Sequence, residues 1–336
     1  MQLSHRVVDV RLGAPFRISR SVRETDTLVE VALTHAGVTG YGEAAPQDRY
    51  QESIESAAAW LDLAAGLLGD DPWALEAIER RLEAIPGERA ARSGLDAALH
   101  DLQGKLVGEP TWRLLGLDRA GPVTSYTVWL GDPDDMARRA EAATGTYRSL
   151  KLKLGGRDGL DVERVRAVRA ASPLPLRVDV NEYWTLDEAL DAIPQLAAMD
   201  VVYVEQPLRA GDPDGPRLKA ASTLPIFVDE DCHVLADVPV CAERGHGVNV
   251  KLAKSGGIRE AVRIVHAARA LGLQTMLGCM IETGLGIAAG CQVASLFDHV
   301  DLDGNLLLAE DPWPGVALVD GVQVPGDAPG LGVTRA

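Results

Sequence analysis

Cysteine is scarce in this chain of 336 residues. There are four, Cys232, Cys241, Cys279 and Cys291, with no CxxC pair and no dense framework among them. That excludes a disulfide-stapled scaffold and reads as buried thiols of a reduced compartment. Long apolar runs are also missing: none approaches the ~18 residues that suggest a membrane span. Positive charge is in deficit, with 33 Lys and Arg against 49 Asp and Glu and a net charge of −16. Such a surface argues against a nucleic-acid partner, which wants basic groups. The opening MQLSHRVVDVRL alternates and carries charge, unlike a signal peptide, so a cytoplasmic location is expected. What remains is ordinary for a globular protein, 46% hydrophobic and 24% charged. The length accommodates one large domain and a smaller one.

Along the chain the rhythm changes once. HRVVDVRL and TLVEVALTHAG alternate as strands, and GVTGYGEAAP carries glycine turns. Between the two strands, PFRISRSVRETD is polar and arginine-rich, which predicts a mobile loop. From Glu52 to Leu106 apolar residues recur at helical spacing, with Asp71-Pro72 reading as a helix start. Strands followed by helices signify an α+β unit. After Gly121-Pro122, short apolar runs alternate with helical stretches about eight times, ending near HVDLD. That count fits a parallel barrel better than an open doubly wound sheet. The Gly- and Pro-rich tail at 310–336 is too short to fold alone and is expected to pack back on the first unit.

Three acids punctuate the barrel region: Asp179 in LRVDVNE, Glu205 in VVYVEQP and Asp229 in IFVDED. Each follows an apolar run, and the gaps are 26 and 24 residues, about one strand–helix–strand repeat. Their carboxylates therefore converge at the C-terminal end of a parallel barrel, where such folds place their sites. A single acid at a strand end is usually a cap or a solvated loop residue. Three in register crowd like charge and demand a cation. Oxygen ligands without His or Cys point to Mg²⁺, with Mn²⁺ as a substitute, rather than zinc. Asn181-Glu182 and Glu230-Asp231 read equally well as supporting groups or as solvated acids.

Lysines flank the acids. Lys151 and Lys153, two apart on one strand, share a face, and the barrel mouth is the better place for both. Their mutual repulsion predicts a pKa lowered from ~10.4 toward that of a base. Lys251, in VNVKLAK, falls on the sixth barrel strand, across from the second. Lys254 reads as a loop residue beside Gly256-Gly257.

At this point the residues match a family. YGEAAP, ARSGLDAALHDLQGKLVGEPTWRLLG, Lys151-x-Lys153, DVNE, EQP, DED, VNVKLAKSGG, LGCMIET and DLDG resemble the enolase superfamily in its muconate-lactonizing branch. Nearest are the dipeptide epimerases of the L-Ala-D/L-Glu type. The resemblance implies an α/β fold, a modified (β/α)₇β TIM-like barrel over 119–310. An α+β capping domain would occupy 1–118, completed by 311–336. It implies that Asp179, Glu205 and Asp229 bind one Mg²⁺ per subunit, that Lys153 and Lys251 are the acid/base pair, and that Lys151 assists. Enzymes of this kind stabilise an ene-diolate with a divalent cation. One lysine would remove the α-proton and the other would return one to the opposite face.

For the substrate, Asp301 and Asp303 resemble the DxD feature that holds the α-ammonium of a dipeptide. Arg23, in FRISRSVRET, matches the position of an arginine that binds a γ-carboxylate, a task suited to a guanidinium. Arg49-Tyr50 stands in a second cap loop, and Glu282 resembles a recurring family acid. Trp129 stands where a smaller residue is usual and reshapes the expected pocket. The small-molecule partner implied is a dipeptide, L-Ala-D/L-Glu of murein origin, with homo-oligomerisation left open. The same lysines and metal also serve o-succinylbenzoate synthase, N-acylamino-acid racemase and cycloisomerase. A catalytically inactive binding protein on the same barrel is the non-enzyme alternative, and retention of every lysine and acid weighs against it.

Overall fold

The computed structural model describes residues 1–336. It opens with an antiparallel meander, β1 (Gln2–Ile18), β2 (Ser21–His35) and β3 (Val38–Ala44). Val29, Val31 and Leu33 of β2 are buried beneath three helices, α1 (Ile54–Ala65), α2 (Leu75–Leu82) and α3 (Arg89–Val107). α1 starts at a reciprocal capping box made by Ser53 and Ser56. α2 starts later than Asp71-Pro72 suggests. The Asp71 carboxylate accepts from Trp73 N at 2.9 Å, a local turn that spends the aspartate before the helix begins.

Two features of this unit depart from the sequence reading. The segment expected as a loop continues the ladder instead, pairing Phe16 with Arg23 and Ile18 with Ser21 across a tight turn. Arg20 reaches acids of other elements and Arg23 lines a cavity, and the largely polar run from Ser19 to Arg23 hides the strand in the sequence. The glycines of β3 are also more than turn residues. A Cβ on Gly40 would lie 2.3 Å from Ala98 O, and one on Gly42 would lie 2.1 Å from Gly94 O. Only glycine lets α3 press this closely on the sheet.

After the short α4 (Thr111–Leu114) the chain enters eight parallel strands. They are β4 (Tyr126–Val128), β5 (Leu150–Lys153), β6 (Leu176–Asp179), β7 (Val201–Glu205), β8 (Ile226–Val228), β9 (Gly247–Lys251), β10 (Gln274–Gly278) and β11 (His299–Asp301). Spatial order follows chain order, and a Thr124–Val300 bridge joins the two edges into a nearly closed barrel. Covering helices alternate with the strands: α5 (Pro133–Ala143), α6 (Asp161–Ala171), α7 (Leu186–Ala197), α8 (Gly215–Ala221), α9 (Val238–Arg244), α10 (Leu252–Ser255), α11 (Ile258–Ala270) and α12 (Gly284–Cys291).

Register positions the site. Lys153 pairs with Asp179, Asp179 with Glu205, and Gly278 with both Lys251 and Asp301. These residues therefore end their strands at one level, the C-terminal rim of the barrel. Below them the interior is filled, with Tyr203 and Phe227 rings 4.5 Å apart.

The tail forms a small hairpin, β12 (Ala317–Val319) with β13 (Val322–Val324), and then returns to the first helices. Gly330 O accepts from Thr111 N at 2.8 Å, and Asp101 Oδ1 accepts from Leu331 N at 2.8 Å. Trp313 donates to Glu30 of β2 at 3.0 Å, while Trp313, Leu331 and Val333 share a core with the barrel helices. No helix is long and apolar enough to cross a membrane.

Candidate active site

A cavity of about 380 Å³ lies between the barrel rim and the first sheet. Lys151, Lys153, Lys251, Asp301, Asp303 and Arg23 all line it, although they come from sequence positions nearly 300 residues apart. Asp179, Glu205 and Asp229 lie directly behind the lysines and are completely buried. β5 and β9 stand four strands apart in a barrel of eight, so Lys153 and Lys251 approach the cavity from opposite walls.

The contacts form one continuous charge network. Lys151 Nζ stands 2.7 Å from Glu205, 2.8 Å from Asp301 and 3.2 Å from Asp179. Lys153 donates to Asp179 at 2.7 Å, and Lys251 donates to Asp229 at 2.7 Å. Lys254 is not a loop residue, contrary to expectation. It sits in α10 with 1% exposure and donates to Asp229 Oδ1 at 2.5 Å, Asp229 O at 2.7 Å and Asn249 O at 2.8 Å. One turn of helix directly after β9 carries it inward, which VNVKLAK does not announce.

Electrostatics sort the carboxylates. Burial opposes the charged form of Asp179, yet Lys153 and Lys151 outweigh it and hold the group below its usual range. Burial is likewise overcome at Asp229 by Lys251 and Lys254. Glu205 goes the other way: burial and the neighbouring Asp179 push it up to about 8. The lysines also correct an expectation. Burial tends to lower Lys151, but Asp301, Glu205 and Asp179 raise it well above its ordinary value. Lys251 is raised for the same reason, chiefly by Asp229. Carboxylates, not a neighbouring ammonium, dominate Lys151 and Lys251.

The three acids do not close on a single point, and no three His, Cys, Asp or Glu side chains form a ready metal cluster, since ammonium groups stand among them. The donor set nevertheless fits a hard divalent cation. It has three buried oxygen-only side chains on adjacent strand ends, and at Glu205 Oε2 the only cation present is the Lys151 ammonium, 2.7 Å away.

At the other end of the cavity, Asp301 keeps one buried oxygen, Oδ1, without a hydrogen bond. Asp303 accepts from Thr127 N at 2.6 Å and is pushed up to about 7 by burial and by Asp301. An entering ammonium would relieve both. Arg23 stands on the wall but is engaged, donating to Asp26 at 2.6 Å and to Gln47 at 2.9 Å. Trp129 packs behind Phe16, with ring centroids 6.3 Å apart, and under the Arg139 guanidinium rather than on the wall. Glu282 accepts from Met280 N at 3.1 Å and is raised by burial to about 7.

Two family models match the chain. "Mandelate racemase / muconate lactonizing enzyme, N-terminal domain" covers residues 2–116, and "Enolase C-terminal domain-like" covers 135–335. The chain belongs to the enolase superfamily. Among its relatives, a hydrophobic dipeptide epimerase from Roseobacter litoralis is 40% identical, over 99% of this chain and 98% of that protein. An L-Ala-D/L-Glu epimerase from Bacteroides thetaiotaomicron is 36% identical, over 100% of this chain and 88% of that one. A dipeptide epimerase from Enterococcus faecalis, solved with Mg and L-Leu-L-Tyr, superposes with a TM-score of 0.95 at 30% identity, covering 99% of each chain. Kinship over the whole length is thus with epimerases, and the chain is an isomerase of that kind.

Two residues at this superfamily site, Gln206 and Asn249, were given no role by the sequence reading, and the pairings of Arg20 and Arg49 were not foreseen. Gln206 accepts from Asp229 N at 2.6 Å, and Asn249 donates to Glu205 at 2.7 Å. Asn249 lies two residues before Lys251, on the same strand face, which was the signal available. Arg20 joins Glu230 at 2.8 Å, and Arg49 grips both oxygens of Glu182 at 2.7 and 2.6 Å. Glu182 and Glu230 thus tie the cap segments to the rim.

Proposed function

We propose that this protein is a dipeptide epimerase that inverts the α-carbon of the C-terminal residue by a two-lysine proton transfer. The observation that carries the proposal is the placement of Lys153 and Lys251 on opposite walls of one cavity. A carbon held between them offers one face to each ammonium. One lysine in its neutral form takes the α-proton, and the other, charged, delivers a proton to the far face. Asp301 and Asp303 hold the substrate ammonium and fix which carbon sits between the lysines. Lys151 directs positive charge at the carboxylate whose charge grows as the α-proton leaves. Asp179, Glu205 and Asp229 are the residues that would hold Mg²⁺, which supplies further positive charge beside that carboxylate when bound. We assign residues 1–118 with 311–336 to the cap and 119–310 to the barrel.

For the epimerised side chain, Arg23 on the wall supports an acidic group, hence L-Ala-D/L-Glu and the recycling of murein peptides. A second reading, a neutral apolar side chain, is favoured by the Arg23–Asp26 pair and by Phe16, Ile18, Met280 and Leu307 on the cavity wall. The test is incubation of a dipeptide library with enzyme and Mg²⁺ in D₂O. Deuterium at the C-terminal α-carbon, with formation of the other epimer, is expected. Exchange without epimerisation of any dipeptide would overturn the proposal.

A further inference from the structure

Three arginines face the substrate cavity, and each already has an acid. Arg20 is held by Glu230 at 2.8 Å and Glu182 at 3.3 Å, and Arg49 by Glu182. Those acids sit one to three residues from Asp179 and Asp229, so they belong to the support of the rim. Arg23 differs. Its only acidic partner is Asp26, three residues along the same strand. In a regular strand such residues point to opposite faces. Here the ladder between β1 and β2 shifts register between Arg11 and Phe16, opposite this stretch, and the two side chains meet at 2.6 Å. Asp26 is fixed from behind by Thr27 N, which donates to its Oδ1 at 3.0 Å. Its side chain is 11% exposed, and Asp26 is not part of the cavity wall, whereas Arg23 is.

We propose that Asp26 is a positioning residue that sets the side-chain preference of the site, turning it from acidic toward neutral dipeptides by holding the Arg23 guanidinium. The proposal rests on the dipeptide reading above and, of the two side chains weighed there, takes the neutral one over the acidic one. A side-chain carboxylate entering beside Arg23 must compete with Asp26 for the same donors and meets a like charge across them. A neutral side chain meets neither penalty. Gln47, the other partner of Arg23, is neutral and offers no such competition.

The test is Asp26→Asn, which keeps the size of the side chain and removes its charge. For wild type, kcat and KM are measured with L-Ala-L-Glu and L-Ala-L-Leu on the Mg²⁺-loaded enzyme, with calorimetric titration of both dipeptides in parallel. Wild type is expected to prefer L-Ala-L-Leu. In the variant, KM and Kd for L-Ala-L-Glu should fall by about tenfold, the size of one freed charged hydrogen bond. kcat for both dipeptides, and KM for L-Ala-L-Leu, should stay within about twofold. The gain should vanish in the Asp26→Asn, Arg23→Met double variant and shrink with added salt. A merely structural loss would weaken both dipeptides together. A wild type that prefers L-Ala-L-Glu overturns the inference whether or not the variant folds. So does an unchanged preference in a variant that melts like wild type, and this result leaves the epimerase reading standing. A wild type that neither binds nor turns over any dipeptide removes both.

Discussion

Lys153 and Lys251 stand four strands apart in a barrel of eight, each with its ammonium 2.7 Å from a different buried carboxylate, Asp179 and Asp229. In the proposed transfer each lysine serves one face of the substrate carbon. Lys153→Ala and Lys251→Ala should each lower epimerisation by about 10³-fold, the usual size of an acid/base contribution. Each variant should still exchange the α-proton of one epimer and not of the other, with opposite epimers for the two variants. Mass spectrometry of L,L and L,D dipeptides in D₂O reads this directly. Loss of exchange from both epimers in both variants would contradict the two-face arrangement.

Metal binding has a signature independent of turnover. Glu205 titrates at about 8 because burial and Asp179 disfavour its charge, so near pH 7 much of it holds a proton. Ligation requires the carboxylate, and Mg²⁺ binding should therefore release up to about one proton at that pH. Release should fade as pH rises past the group's own titration. Calorimetry in buffers of differing ionisation enthalpy measures it, and Glu205→Gln should abolish it. EDTA should remove activity and Mg²⁺ restore it, with a concentration-dependent rise in Tm on adding Mg²⁺.

What the sequence discloses follows from what is periodic. Asp179, Glu205 and Asp229 follow apolar runs that repeat with the barrel, so their placement on neighbouring strand ends was legible in the sequence. Lys151 and Lys153 were legible too, because a strand has only two faces. Lys254 was not, because the turn of helix that buries it begins directly after β9 and leaves too few residues to show a period. Arg20 with Glu230, and Arg49 with Glu182, join positions 210 and 133 residues apart. Each looks like a solvated charge when read alone, and only the closing of the cap over the rim pairs them. The hairpin tip at Phe16–Arg23 was misread for a related reason. Phe16 and Ile18 do alternate toward the cavity wall, but two such residues among polar neighbours are too few to announce a strand.

Lys254 makes a stability prediction. Its ammonium is fully buried on Asp229 and two carbonyls, so Lys254→Met leaves those acceptors without their donor. Removing one partner of a buried pair costs about 3–5 kcal/mol. Urea unfolding without metal should show a loss of that order. Added Mg²⁺ should recover part of it, because a cation at Asp229 replaces some of the missing charge. A variant as stable as wild type in EDTA would refute this role.

Glu182 should control substrate affinity more than chemistry. It takes Arg49 through both oxygens, reaches Arg20 at 3.3 Å, and accepts from Ala210 N at 3.0 Å. The backbone is left-handed here, with φ of +51° at Asn181 and +74° at Glu182, so the loop is held in a costly conformation by these contacts. Glu182→Ala frees two cap segments at once. KM should rise by about tenfold with a smaller fall in kcat, in line with the loss of charged hydrogen bonds. Faster proteolysis at the 19–20 turn should accompany it, and equal changes in kcat and KM for every dipeptide would argue for a different role.

Glu43 ties pH to stability away from the lysines. It is buried, accepts from Thr283 N at 2.9 Å and from the Thr283 hydroxyl, and burial pushes it from 4.5 to about 8, with Glu282 adding to the rise. The folded group thus holds its proton up to about 8, while the unfolded chain releases it near 4.5. In that window the folded state binds more protons than the unfolded one, so this contribution falls as pH rises and is complete only below the unfolded value. Gln mimics the protonated form: its amide nitrogen donates to the Thr283 hydroxyl oxygen, as a protonated carboxyl would, and its oxygen accepts from the backbone N–H. Glu43→Gln should match wild type near pH 4.5 and exceed it increasingly toward pH 8, by an amount on the order of a few kcal/mol. The difference between the two Tm curves across pH isolates Glu43 from other titrating groups. A difference that is flat with pH would show that Glu43 is charged in the folded protein.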